Sequence, residues 1–89
     1  MENKGENLAK LYTADFILLS DSELIKTFEG YSYGVNFAHS FKDEVALEVA
    51  GNIIIERKLK TLEELRAIIS KDKTEVSEYL DTINSIPKK

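Results

Sequence analysis

This chain has no cysteine and no tryptophan, and only one proline, four glycines and one histidine among its 89 residues. Without cysteine there is no disulfide, no thiolate nucleophile and no zinc site of the cysteine kind, so any metal would depend on carboxylates and the lone His39. One histidine without cysteine gives no paired base and nucleophile, and glycine-rich phosphate loops and the H-E-x-x-H pattern are both missing. The expectation is a protein without catalysis, metal or cofactor. No apolar run approaches the roughly 20 residues that span a bilayer, and the polar start "MENKGENLAK" is unlike an export signal. A cytoplasmic location with no membrane partner follows. The scarcity of proline and glycine, with 43% hydrophobic and 31% charged residues, excludes a linker-like chain. One compact domain is expected over 8–86, with 1–7 and 87–89 as flexible tails.

Charge is uneven. Residues 1–56 hold ten acids and four bases, 57–73 six bases and three acids, and 74–89 three acids and two bases, which sums to the net −4. The middle block is a basic island of Arg57, Lys58, Lys60, Arg66, Lys71 and Lys73. A solvated surface is the plain reading of such an island, and a phosphate-touching patch is the sharper one.

Hydrophobic spacing supplies the elements. Leu8, Leu11 and Tyr12 begin a short amphipathic turn or helix. Ser20-x-x-Glu23 is a capping box ahead of Leu24, Ile25 and Phe28, which predicts a helix over about 21–29 with Gly30 as its stop. Tyr31, Tyr33, Val35, Phe37, His39 and Phe41 alternate as in a strand, and Gly51-Asn52 would suit a hairpin turn. Val35, Ala38, Phe41, Val45, Val49 and Ile53 instead follow helical steps, with Ser40 and Asp43 offering a cap. A helix over 40–59 is favoured, and the tyrosine-rich stretch before it stays open. Thr61-x-x-Glu64 is a second capping box, with Leu62, Leu65, Ile68 and Ile69 on one face. Lys71, Asp72 and Lys73 read as a turn, Thr74 as the next cap, and Val76, Tyr79, Leu80 and Ile83 as a buried stripe ending before Pro87.

Two short helices joined by a three-residue turn, with Leu65, Ile69, Val76, Tyr79 and Leu80 facing inward, resemble a helix-turn-helix segment over 61–83. The resemblance implies a DNA-binding regulator that is dimeric, with the basic island on phosphates and Ser77 and Lys73 near bases. Arg66, Ser70 and Lys71 depart from the small residue, glycine and apolar residue usual in such motifs, which implies a wider helix crossing or an ordinary hairpin. Glu75, Glu78 and Asp81 give the second helix an acidic outer face, unfavourable in a groove lined by phosphates.

The resulting expectation is an all-α bundle of about four short helices ending in a helical hairpin; the alternative is an α+β fold with a β-meander at 31–58 packed on that hairpin. The expected function is regulatory or adaptor protein binding, with DNA binding as the alternative. Contact would be made by Glu75, Glu78 and Asp81 with a basic partner, or by Tyr31, Tyr33 and Phe37, which belong to a cluster holding half of the aromatic residues. A homodimer is a further candidate partner. His39 is read as a packed or hydrogen-bonded structural imidazole.

Overall fold

The computed structural model describes residues 4–85. They form four helices: α1 (Lys4–Phe16), α2 (Asp21–Ala38), α3 (Phe41–Glu56) and α4 (Leu62–Ser85). The described residues contain no strand, so the all-α expectation holds and the meander at 31–58 does not form. Of the tails expected at 1–7 and 87–89, residues 4–7 are the first turn of α1, and the others, with Pro87, lie outside the described residues.

Two helix starts follow the sequence directly. At α2 the Glu23 N–H donates to the Ser20 hydroxyl at 3.3 Å and the Ser20 N–H donates to the Glu23 carboxylate at 3.1 Å. At α4 Thr61 and Glu64 exchange the same pair of bonds at 3.2 and 3.0 Å. Each box satisfies two amides that a helix start leaves without intrahelical acceptors. Ser40 precedes α3 but its side chain makes no cap bond. Asp43, expected to share that cap, instead lies against α2, where a methyl on Gly34 would come within 3.2 Å of its carboxylate.

Helix α2 does not stop at Gly30. A glycine ends a helix by entering the left-handed region, and no glycine here has positive φ. Past Gly30, Tyr31 joins the rings of Tyr12 and Phe16, while the Asn36 amide donates to the Ile69 carbonyl of α4 at 3.2 Å. These contacts outweigh the roughly 1 kcal/mol that glycine costs inside a helix. The left-handed residue is His39, φ 53°, whose N–H closes α2 on the Val35 carbonyl. Its side chain is exposed, which corrects the packed imidazole expected from the sequence.

The core is shared by all four helices. Phe16 of α1, Leu24 and Phe28 of α2, Val45, Ala46, Val49, Ala50, Ile53 and Ile54 of α3, and Leu65 of α4 form one buried cluster. Helix α2 packs on both α3 and α4, and α1 packs on α3. Gly51, read as a possible hairpin turn, lies inside α3. A methyl there would sit 3.2 Å from the Phe28 ring and 3.5 Å from Leu65, so the bare backbone lets three helices meet.

Helix α3 ends in a double hydrogen-bond closure. The Leu59 N–H reaches the Ile54 carbonyl at 3.1 Å and the Lys58 N–H reaches the Ile55 carbonyl at 3.0 Å, with Lys58 at φ 59° where glycine is usual. The preceding Arg57 turns back across the bundle. Its guanidinium donates to the Leu19 carbonyl at 2.9 Å, the Ile17 carbonyl at 2.9 Å and the Asp21 carboxylate at 3.2 Å. It thereby fixes the end of α1, the link 17–20 and the start of α2 to the end of α3.

The hairpin at 61–86 is not formed. Helix α4 is one continuous helix of 24 residues, running through Lys71, Asp72 and Lys73 without a turn. The segment 70–74 holds neither glycine nor proline, and Thr74 caps nothing: its hydroxyl donates within the helix to the Ser70 carbonyl at 3.1 Å. Leu62, Leu65, Ile69, Asp72, Val76, Tyr79 and Ile83 also keep an unbroken three-four spacing, so both stripes lie in phase on one helix.

Replacing Arg57 by Ala is expected to cost about 2–3 kcal/mol in urea unfolding, the range for charge-assisted bonds to partly buried acceptors. Asp21→Ala should cost under about 1 kcal/mol, because that carboxylate is 64% exposed and its ion pair is screened. Equal losses would show that the ion pair, and not the carbonyls, carries the clamp.

Both capping glutamates are held below their ordinary value of 4.5, Glu23 chiefly by the Ser20 amide and then its hydroxyl, Glu64 chiefly by the Thr61 amide. A carboxyl more acidic in the folded chain stabilises the fold above its unfolded pKa and loses that contribution as pH falls through the folded one. Stability should therefore fall on acidification below about pH 4.5, and Glu23→Gln with Glu64→Gln should flatten this limb in urea midpoints. An unchanged acid limb would assign the loss to other carboxylates.

Candidate interaction surface

The 24 residues of α4 outrun the 18 of α2 and the 16 of α3. Its first half is held against the bundle by Leu65, Ile68 and Ile69. Farther along, Asp72 and Val76 are still buried, at 8% and 2% exposure. From Ser77 through Asn84 every residue is exposed. The helix thus extends about two turns beyond its support, and the chain has a radius of gyration of 15.0 Å against about 12 Å for a compact fold of this length.

The overhang is not polar all round. Tyr79 is 50% exposed, Leu80 38% and Ile83 44%, beside Phe37 of α2 at 47%. The stripe expected to be buried is therefore buried only at Val76, because α2 ends at Ala38 and provides no side chains farther along. The Phe37 and Tyr79 rings meet at 6.1 Å between centroids, tilted by 50°. With Tyr33, Gly34, Ala38 and Asp43 they line an open cavity of about 340 Å³. Tyr33 and Phe37 therefore come together on one surface, as a contact site requires.

Tyr31 does not join them. It faces α1, edge-on to Tyr12 at 6.1 Å and tilted to Phe16 at 5.9 Å, beside a second open cavity of about 570 Å³ lined also by Asp15, Leu19, Thr27, Gly30 and Asp43. Burial first, then Tyr12, Asp43 and Asp15, push its phenol above the ordinary value. Successive odd positions that share a face in a strand lie about 200° apart on a helix, which separates Tyr31 from Tyr33.

Glu75, Glu78 and Asp81 are all exposed on α4. Glu75 lies 4.0 Å from Lys71, a weak exposed pair. By helical phase the three carboxylates flank and back the apolar stripe. The projecting end therefore has an apolar side and an acidic side.

No family model, curated protein or solved structure gives a significant match to this chain.

The basic island does not form one patch. Arg57 is engaged in the clamp, Lys58 makes the left-handed turn after α3, and Lys60 lies in the loop before α4. Arg66 and Lys73 share a side of α4, seven residues apart, and Lys71 falls nearly opposite Lys73. In place of the two helices and turn of a DNA-reading motif, residues 62–85 form one continuous helix.

Residues 71–73, expected to form a turn, are helical and lie at the base of the overhang. A continuous three-four spacing through Asp72 was the signal, since it predicts one helix longer than any neighbour able to cover it. Asp72 sits at an inward position of that stripe and its Oδ2 has no hydrogen-bond partner among the described residues; the same holds for the Ser32 hydroxyl of α2. An unpartnered buried oxygen costs about 1–3 kcal/mol. Asp72→Leu, which restores the apolar repeat, should raise the urea unfolding free energy by about 1–2 kcal/mol. A loss of stability would show that Asp72 is satisfied by solvent inside the seam.

Proposed function

We propose that this chain is a small cytoplasmic protein-binding module that acts by docking, without catalysis. The observation that supports it is the end of α4, where Tyr79, Leu80 and Ile83 stand open to solvent beside Phe37. Aromatic residues grouped with aliphatic ones in the middle of an exposed patch are the usual anchors of protein contacts. Glu75, Glu78 and Asp81 at the flank and back of the helix favour a partner that is basic around an apolar centre. Phosphate binding is the weaker reading, because α4 beyond Lys73 carries only acids through Ser85.

The test is affinity capture from the native host with immobilised chain, comparing Tyr79→Ala with Ile83→Ala, and Glu75→Lys with Glu78→Lys and Asp81→Lys. Loss of two anchors should weaken capture on the order of 10–100-fold, and charge reversal should weaken it while leaving the helical circular dichroism unchanged. Capture indifferent to both changes would reject this surface. Salt-dependent retention of the unmodified chain on duplex DNA would transfer the function to nucleic-acid binding.

A further inference from the structure

The cavity of about 570 Å³ beside Tyr31 lies where the end of α1, the middle of α2 and the start of α3 meet. We propose that it receives the guanidinium of an arginine carried by the docked partner. This rests on the reading of the chain as a protein-docking module and names the group that the basic side of the partner presents.

Charge selects the sign of the occupant. The cavity wall carries two carboxylates and no base: Asp15 comes from α1 and Asp43 from α3, with the Tyr31 phenol between them on α2. Neither carboxylate has an ion-pair or hydrogen-bond partner among the described residues. Both act on one point, since after burial and Tyr12 they are what pushes the Tyr31 phenol up. A wall of this potential attracts a cation. Two carboxylates are too few for a dedicated divalent-ion cage, and among the described residues no third acidic residue or histidine joins them.

The rings refine the choice. Phe16 and Tyr31 meet at 5.9 Å between centroids, and Tyr12 joins both, 5.4 Å from Phe16 and 6.1 Å from Tyr31. A flat guanidinium stacks on such faces and is less strongly hydrated than an ammonium. Its five N–H donors lie in a fixed fork, which suits two carboxylates and a phenol oxygen contributed by three different helices.

Gly30 keeps the cavity open. Glycine is unfavourable inside a helix, and unlike Gly51 this one answers no packing need, since a methyl on it would meet nothing within 4 Å. A side chain there would stand at the rim of the cavity that Gly30 lines.

Asp43 ties this cavity to the docking surface. It also lines the smaller cavity at Phe37 and Tyr79, and Thr27, Gly30, Gly34 and Phe37 follow one stripe of α2 between the two. Gly30 and Phe37 are separated by about 10 Å of helix. The partner therefore carries its arginine about 10 Å from the apolar group that meets Phe37 and Tyr79, which is about three residues of extended chain or about two turns of helix.

The test is a nuclear magnetic resonance titration of the whole chain with N-acetyl-arginine amide and with its neutral isostere, N-acetyl-citrulline amide. The arginine compound should shift the amide signals of Asp15, Thr27, Gly30, Tyr31 and Asp43 with a midpoint on the order of 1–10 mM, and the citrulline compound should leave them in place. Asp15→Asn with Asp43→Asn should raise that midpoint about tenfold or more and weaken capture of the host partner about tenfold, with the helical spectrum kept. Gly30→Leu should also raise the midpoint while keeping the helix, because leucine favours helix more than glycine does. Equal shifts with both compounds, or none at these residues, overturn the proposal. The docking surface is read separately: Tyr79→Ala with Ile83→Ala should weaken capture and leave the arginine titration unchanged. If capture is lost in that variant while arginine does not bind, the docking reading stands and the cavity has no part in it. If arginine binds but the carboxylate variant captures the partner unchanged, the cavity serves a free cation and the arginine of the partner is overturned.

Discussion

One guanidinium sets the frame of this molecule. Helices α1 and α2 are joined by four residues, too few to reach the core with more than Leu19, and the link leaves carbonyls that no helix satisfies. Arg57 gathers two of them, together with Asp21, from the far end of α3. Its position follows from the closure behind it: with Lys58 in the left-handed region, the chain reverses sharply and Leu59 returns to the core. The direction in which α4 departs therefore depends on the same few residues that hold α1 to α2. An arginine suits this place because its planar fork addresses several acceptors at once, which a lysine ammonium cannot do with fixed geometry.

Within that frame α2 is the central element, touching α3 and α4 and offering Tyr31 to α1. Its length then determines what remains uncovered. It ends at Ala38, near the level of Tyr79, through the Phe37 contact. Beyond that level the apolar side chains Leu80 and Ile83 of α4 stand exposed. The exposed stripe is thus a matter of unequal helix lengths, and none of the described elements covers it. Leu11, Ile17 and Leu18 are also exposed, but they are separate from this surface in the fold, on α1 and in the link that Arg57 holds.

The starts of α2 and α4 were legible because a capping box is a local device: Ser20 with Glu23, and Thr61 with Glu64, need nothing from the rest of the chain. The body of α3 was legible for a similar reason, since Val45, Val49 and Ile53 repeat at helical spacing. The ends were not. Left-handed closures occur here at His39 and Lys58, without a glycine to mark them, while Gly30 stays helical because Tyr31 and Asn36 beyond it make tertiary contacts, and Gly51 lies inside α3 against Phe28 and Leu65. The aromatic contact was half legible: Tyr33 and Phe37 do share a surface, but Tyr31 goes elsewhere because the segment is a helix and not a strand. The polar run at 71–73 misled for a physical reason. A charged residue at an inward position is rare, so Asp72 read as a break when it is a buried member of an unbroken stripe.

The unequal lengths have a further meaning for the energetics of recognition. An isolated segment as short as the last two turns of α4 would be mostly unfolded in water, because starting a helix orders several residues for a single hydrogen bond. Here the start has already been made by the half of α4 that α2 holds, and each added residue needs only propagation. A binding partner meets a ready-made helix and is spared much of the ordering cost that a disordered peptide of the same sequence would impose. The buried half of α4 thus acts as a template, and the affinity of its free end depends on the stability of residues that no partner touches.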